Sequence, residues 1–217
     1  MKSAIGPTRR VLRERLTREE SKAVTRARVL EAAAEVFARR GFHGASVEEV
    51  AETAGYSKGA VYSNFASKED LFLALLDQRL DAQMEAFAAV FATELTPPAR
   101  LDALGRMRTP TLDSGRDWCL LATEFWLYAA REPKIGPRLA VRRRLARERV
   151  AQLIEAHTRE SGGAPTGHPE ELAALIIAIG DGLQMQTYVE PTMDSDGLFR
   201  LALALILGST SVGEAGP

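Results

Sequence analysis

The stretch from Ser46 to Phe65, SVEEVAETAGYSKGAVYSNF, constrains the fold more than any other part of the chain. Ser46 followed three residues later by Glu49 has the spacing of a capping box, in which the hydroxyl takes an orphan N–H and the carboxylate reaches back. Val47, Val50, Ala51 and Ala54 then recur at helical spacing. Gly55 ends that helix, because the stop needs a residue that tolerates positive φ. Ser57 caps a second short helix, on which Val61 and Phe65 share one face. Two short helices joined through a Gly-containing turn make a helix-turn-helix. Ala51 is small enough to let the second helix cross close by, and β-branched Val61 is its inward wedge. Ser57, Lys58, Gly59, Ala60, Ser63 and Asn64 are left pointing outward. They are small, polar or basic, a composition that suits a helix lying in a groove about 12 Å wide. An ordinary helical hairpin inside a core shares this local spacing.

The flanks separate the two readings. The run Thr25…Ala32-Ala33…Phe37…Gly41-Phe42…Ser46-Val47…Val50-Ala51…Ala54-Gly55-Tyr56-Ser57-Lys58-Gly59…Val61-Tyr62-Ser63-Asn64-Phe65…Ser67-Lys68-Glu69…Leu71 resembles the N-terminal domain of the TetR family of transcriptional regulators. The likeness extends without a gap over about 47 residues. Ala45, Tyr56 and Asn64 depart from the Thr, Val and His frequent at those places. The resemblance implies an all-α protein with an N-terminal three-helix DNA-binding domain, joined by a long helix to a C-terminal ligand-binding and dimerisation domain. It also implies that Thr25, Ser46, Tyr62 and Lys68 hold DNA phosphates. Ser57, Lys58, Gly59, Ala60 and Ser63 then face base edges, with Asn64 at the border.

Charge distribution agrees with one nucleic-acid face. The formal net charge of −1 hides 12 Lys/Arg against 8 Asp/Glu in residues 1–67, and 16 against 21 in the remainder. The 46% hydrophobic and 26% charged content is that of a soluble globular protein. No apolar run approaches the roughly 20 residues of a membrane span. No apolar segment follows the N-terminal charges as a secretory signal requires. The single cysteine, Cys119, makes no internal disulfide. These features point to the cytoplasm.

Residues 1–21, with Lys2, Arg9, Arg10, Arg13, Arg15 and Arg18, read as a basic flexible arm. It is either a tail without a role or an extra hold on phosphate or the minor groove. Residues 22–67 are the DNA-binding domain and 68–217 the helical regulatory and dimerisation domain. The first helix is expected over 22–40, with Val29, Leu30, Ala33, Val36 and Phe37 as its apolar stripe. Thr25 lies near its start, where free N–H groups can hold a phosphate. Ser67 caps a long fourth helix over 68–93 whose apolar residues recur every three or four positions. Pro97-Pro98 breaks that pattern. Further helices are expected over 98–108, 116–131, 137–160, 169–189 and 194–208, about nine in all. The last is apolar nearly all round, yet too short to span a bilayer. A second copy of the chain is the expected cover, through Leu172, Ile176, Ile179 and Leu183 of the eighth helix and Leu198, Leu201 and Leu205 of the ninth, about a two-fold axis. The resemblance implies the same four-helix dimer interface.

Met107, Trp118, Phe125, Trp126, Tyr128, Asp181, Met185 and Tyr188 are candidates for a ligand pocket, although stripes of this kind also read as core. Gly180 and Gly182 flank Asp181 inside a helix, where each glycine costs about 1 kcal/mol, so close packing or cavity space must compensate. Asp181 either binds a polar ligand group or pairs with an arginine across the interface. The arginines at 138, 142, 143, 144, 147 and 149 form either a solvated face or an anion site. His43, His157 and His168 share no metal-ligand spacing, and there is no cysteine pair, Gly-rich phosphate loop or nucleophile elbow. No cofactor or metal is expected.

The reading is a homodimeric regulator of a near-palindromic double-stranded DNA operator, a repressor by the resemblance. A small-molecule effector releases it by preferring one of two head separations. The rivals are a helical module whose helix-turn-helix contacts protein, and an all-helical enzyme, which lacks a visible acid–base pair.

Overall fold

Thr17 starts the first helix. Its hydroxyl accepts the Glu20 N–H, and the Glu20 carboxylate accepts the Thr17 N–H, a complete capping box. The structure, a computed structural model, describes residues 17–106, 115–161 and 167–207. The helix therefore begins at Arg18, four residues before its expected start at 22, and the arm's residues 1–16 lie outside the described residues. Among the described residues there are nine helices and no strand: α1 (Arg18–Gly44), α2 (Val47–Ala54), α3 (Lys58–Tyr62), α4 (Lys68–Phe91), α5 (Pro97–Arg106), α6 (Gly115–Arg131), α7 (Gly136–Ser161), α8 (Pro169–Val189) and α9 (Ser195–Ile206).

Gly41 interrupts α1 with φ 71° and ψ 173°, a region open essentially to glycine alone. The chain turns there and adds one more helical turn before α2. Ser46 caps α2 by accepting the Glu49 N–H at 3.1 Å. The expected capping box is only half made, because the Glu49 carboxylate binds Arg39 at 3.3 Å and Arg40 at 3.1 Å instead. Gly55 is left-handed, and the Gly55 and Tyr56 N–H groups return to the Glu52 and Ala51 carbonyls. This pair of bonds is a Schellman stop, and it sets the angle at which α3 leaves. Ser57 and Ser67 cap α3 and α4 by accepting the Ala60 and Asp70 N–H groups.

One core joins the small N-terminal head to the helices beyond it. Val29, Ala33, Val36 and Phe37 of α1 pack with Val50, Ala51, Val61, Phe65, Leu71 and Phe72, and with Leu121, Phe125 and Ala129 of α6. Phe72 is the centre. Its ring lies 5.4 Å from Phe37 and Phe42, 4.2 Å from Phe125 and 5.9 Å from Trp118. Phe37, Phe42, Phe72 and Phe125 are fully buried, each contributing about 1.5–3 kcal/mol by leaving water. A second core gathers Ala151 and Ile154 of α7, Leu172, Ala173 and Ile176 of α8, and Leu203 of α9.

Helix α7 is fastened along α4. Arg138 pairs with Asp70, Arg142 grips Asp77 at 2.7 and 2.8 Å, and Arg149 pairs with Asp81. The pairs ascend together, so the two helices run in the same sense. Arg149 is exposed and Arg138 and Arg142 half-buried, so the expected solvated face is also paired with acids of this chain, setting register more than stability.

Helix α8 corrects two expectations. Its 21 residues are long and apolar enough to cross a membrane on length and composition alone. It packs instead against α7 and α9, and its Asp181 pairs with Arg143. Leu172 and Ile176, expected on a subunit interface, are buried inside this chain's second core. Ile179 and Leu183 are half-buried, and Leu175, Leu198 and Leu201 are exposed, with Leu205 the barest of the α9 leucines at 68% exposure.

Candidate functional site

Helix α3 is anchored by two side chains and presents the rest. Val61 and Phe65 are buried, Ala60 is half-buried, and Ser57, Lys58, Gly59, Tyr62 and Ser63 are exposed. A Cβ at Gly59 would meet nothing closer than the Ser57 hydroxyl at 3.9 Å, so the backbone there is open to close approach. Lys58 pairs with Glu48 of α2, and its ammonium lies 5.8 Å from the Tyr62 ring. The hydrogen bond between them raises the Lys58 pKa and lowers that of Glu48. Arg26 of α1 lies with its guanidinium 4.4 Å from the Phe65 ring. Sequence reasoning passed over it.

Three of the expected DNA contacts sit differently, and Ser46 does not. Asn64 donates to the Ala60 carbonyl at 2.9 Å and to the Ser63 hydroxyl at 3.3 Å, and its Oδ1 is buried without a partner. Asn64 thus finishes α3 and turns into the head. Thr25 stands two turns inside α1, where its N–H belongs to the helix and its hydroxyl donates to the Ser21 carbonyl at 2.9 Å. It is not at a helix start. Lys68 donates to the carbonyls of Phe42, His43 and Ala45 at 2.8, 3.4 and 3.1 Å, with its ammonium 4.7 Å from the Phe42 ring. All three of its protons are engaged, so it clamps the turn before α2 and has none for phosphate. Ser46 accepts from Glu49, which leaves its own proton to donate outward.

The same turn is held from α6. The Glu124 carboxylate accepts the N–H groups of Phe42 and His43, each at 2.9 Å. Tyr128, one helical turn on, donates its hydroxyl to Glu69 at 2.9 Å. Burial, then Glu69, pushes that phenol up to about 12. Tyr128 therefore belongs to this junction and not to a pocket. Phe125 likewise lies in the first core.

Behind the junction is a cavity of about 330 Å³ lined by residues of every helix from α4 to α9. Trp118, Trp126, Asp181 and Met185 line it as expected, while Tyr188 does not. Met107 lies outside the described residues. The wall from α4, with Arg79, Gln83 and Phe87, stands outside the expected candidates, all of which come from residue 107 onward. Its signal was the apolar repeat of α4 continuing past the head, interrupted by one arginine. Cys119 also lines the cavity. Arg143 lies 4.3 Å from the Trp126 ring and binds Asp181 at 2.6 Å, so Asp181 meets an arginine of its own chain. Gly180 lets Phe199 approach, with 3.4 Å between that ring and a would-be Cβ. Arg79 lies 5.0 Å from the Trp118 ring, and its Nη2 is buried without a hydrogen-bond partner. Burial lowers its pKa. The described residues contain no cluster of His, Cys, Asp or Glu able to hold a metal ion.

Comparison with known proteins accords with this geometry. The family model for bacterial regulatory proteins of the tetR family matches residues 29–75, and that for the C-terminal part of BetI-type transcriptional repressors matches residues 97–208. The HTH-type transcriptional activator FasR of Mycolicibacterium smegmatis is 38% identical over 89 residues, 41% of this chain and 39% of that protein. The similarity thus spans about two-fifths of that curated relative. A transcriptional regulator from Rhodococcus sp. Rha1 is 27% identical with a TM-score of 0.66, covering 85% of this chain and 94% of that one. A regulator from Saccharomonospora viridis, solved in complex with choline, shares the fold at 24% identity and a TM-score of 0.66, over 87% of this chain and 97% of its own. With its head and its C-terminal helices both matched, the chain belongs to the TetR family of transcriptional regulators.

Proposed function

We propose that the protein is a homodimeric, ligand-released repressor that binds a near-palindromic DNA operator in the cytoplasm. The observation that carries this is the face of α3. Val61 and Phe65 fix it from beneath, while Ser57, Lys58, Gly59 and Ser63 stand exposed above. Those four and Ala60 face base edges, and Lys58 reaches guanine O6 and N7. Ser46 and Tyr62 take phosphates, where contacts set register and not sequence preference.

Dimerisation is supported by the apolar face of α8 and α9 that one chain leaves open, with Leu175, Leu198, Leu201 and Leu205 exposed. A Cβ at Gly182 would meet nothing within 4 Å, a notch where another helix can come close. Two heads on a two-fold axis then read half-sites about one helical turn apart or somewhat more.

Release is supported by the routes from cavity to head. Trp118 lines the cavity and stacks on Phe72, and Glu124 on the same helix holds Phe42 and His43. A small molecule that favours one position of α4 and α6 favours one head separation. Choline in the Saccharomonospora viridis protein supports a small molecule as the class of effector.

Selection from a random duplex pool, followed by a salt titration of the winning site, tests the proposal. A near-palindrome should emerge, and its affinity should fall steeply with salt. Failure to enrich any duplex would overturn the reading.

A further inference from the structure

We infer that the cavity takes a small organic monoanion, a carboxylate on an aryl or alkyl body, with Arg79 as its counter-ion. The inference rests on reading this cavity as the effector site. Three charged side chains line it: Arg79, Arg143 and Asp181. Arg143 and Asp181 satisfy each other at 2.6 Å. Arg79 pairs with no carboxylate among the described residues, the Cys119 thiol being the acid that faces it, and its Nη2 is shut away from water with no acceptor. A guanidinium does not shed its proton in a protein. Its buried Nη2 calls for an acceptor that the described residues do not supply, and a carboxylate matches the guanidinium fork.

The remaining wall decides what the anion is attached to. Leu80, Met84, Phe87 and Phe199 make it apolar, and about 330 Å³ is near the small end of ligand sites. One ring with a short chain suits that volume. A quaternary ammonium suits it poorly, because such a cation is held on bare aromatic faces. Arg79 already lies over Trp118, which also stacks on Phe72, and Arg143 lies over Trp126. A bound cation would meet two guanidinium groups and one carboxylate.

The chain has two tryptophans, Trp118 and Trp126, and both line the cavity, so intrinsic fluorescence reports its occupancy. The full-length protein is titrated with 4-phenylbutanoate, its neutral amide 4-phenylbutanamide, and benzyltrimethylammonium. The carboxylate should bind at least about 10-fold more tightly than the amide, and the ammonium should not bind. Arg79→Met should weaken carboxylate binding on the order of 10- to 100-fold and leave the amide within about 3-fold. Asp181→Asn, which changes shape little, should strengthen carboxylate binding by freeing Arg143. Arg79→Lys, which keeps the charge and loses the fork, decides the matter should Arg79→Met fail to fold: it should weaken carboxylate binding and leave amide binding unchanged. Tighter binding of the ammonium, equal binding of acid and amide, unchanged carboxylate affinity in Arg79→Met, or no carboxylate binding up to millimolar concentration would each overturn the inference. Carboxylate bound through Arg79 that leaves the DNA complex intact would uphold the anion site and refute the effector reading alone.

Discussion

Glu124 fills the space that a side chain at Gly41 would need: a Cβ there would stand 2.7 Å from the Glu124 Oε2. The carboxylate lies so close because it accepts the next two backbone N–H groups, of Phe42 and His43. At the other end of that single turn Lys68 gathers the carbonyls of Phe42, His43 and Ala45. An anion at the N–H end and a cation at the carbonyl end both agree with the dipole of the turn. The piece of chain leading into the helix-turn-helix is thus gripped by α6 and α4, two of the helices that wall the cavity.

Gly41→Ala should destabilise the protein by about 2–3 kcal/mol, because it combines a backbone region closed to side chains with a clash against a committed carboxylate. Urea unfolding with an unchanged m-value measures this. A loss below about 0.5 kcal/mol would mean that the turn relaxes freely.

Lys68→Met should also destabilise, by roughly 2–3 kcal/mol, since three carbonyls lose a charged donor. The salt dependence of DNA binding should keep its slope, because no phosphate contact is removed. A shallower slope would return Lys68 to the phosphate role first expected for it.

Lys58 and Glu48 make the opposite case. Their exposed pair competes with DNA for the lysine. Glu48→Gln should raise operator affinity, by up to about 5-fold, through release of Lys58 and removal of an acid beside the phosphates. Lys58→Ala should lower it roughly 10- to 100-fold, with the loss concentrated at one base pair. Equal loss on all sequences would make Lys58 a phosphate contact instead.

His157 is buried, and its pKa is lowered by burial first and by Arg100 second, with Glu160 opposing. Below the ordinary value of 6.5 the unfolded chain takes up a proton at this site before the folded protein does. Stability from this group is therefore complete above about pH 6.5 and falls as pH drops towards the lower folded value, at up to about 1.4 kcal/mol per pH unit. His157→Phe should flatten the curve just below pH 6.5. An identical curve in the variant would assign the acid sensitivity elsewhere.

What could be read in the sequence was local. The caps at Ser46, Ser57 and Ser67, the stop at Gly55 and the inward Val61 follow from spacings of a few residues, and each sits where the pattern placed it. The errors share a cause. Lys68 reaches back more than twenty residues to its carbonyls, and Asp181 meets Arg143 from another helix. Nothing in local periodicity encodes such partners. On α8, Leu172 and Leu175 are both apolar, and only the packing of α7 and α9 decides which is buried. The α4 wall of the cavity was hidden because its leucines fit a rigid connector as well as a pocket.

Hydroxyl-radical footprinting on the selected operator, run beside sedimentation equilibrium, tests the central claim that two identical heads read duplex DNA together. The account predicts a dimer and two protected patches related by a two-fold, about 10 base pairs apart or somewhat more, with both lost in a monomeric Leu205→Glu variant. A single protected patch from a monomer that binds as tightly as the parent protein would contradict it.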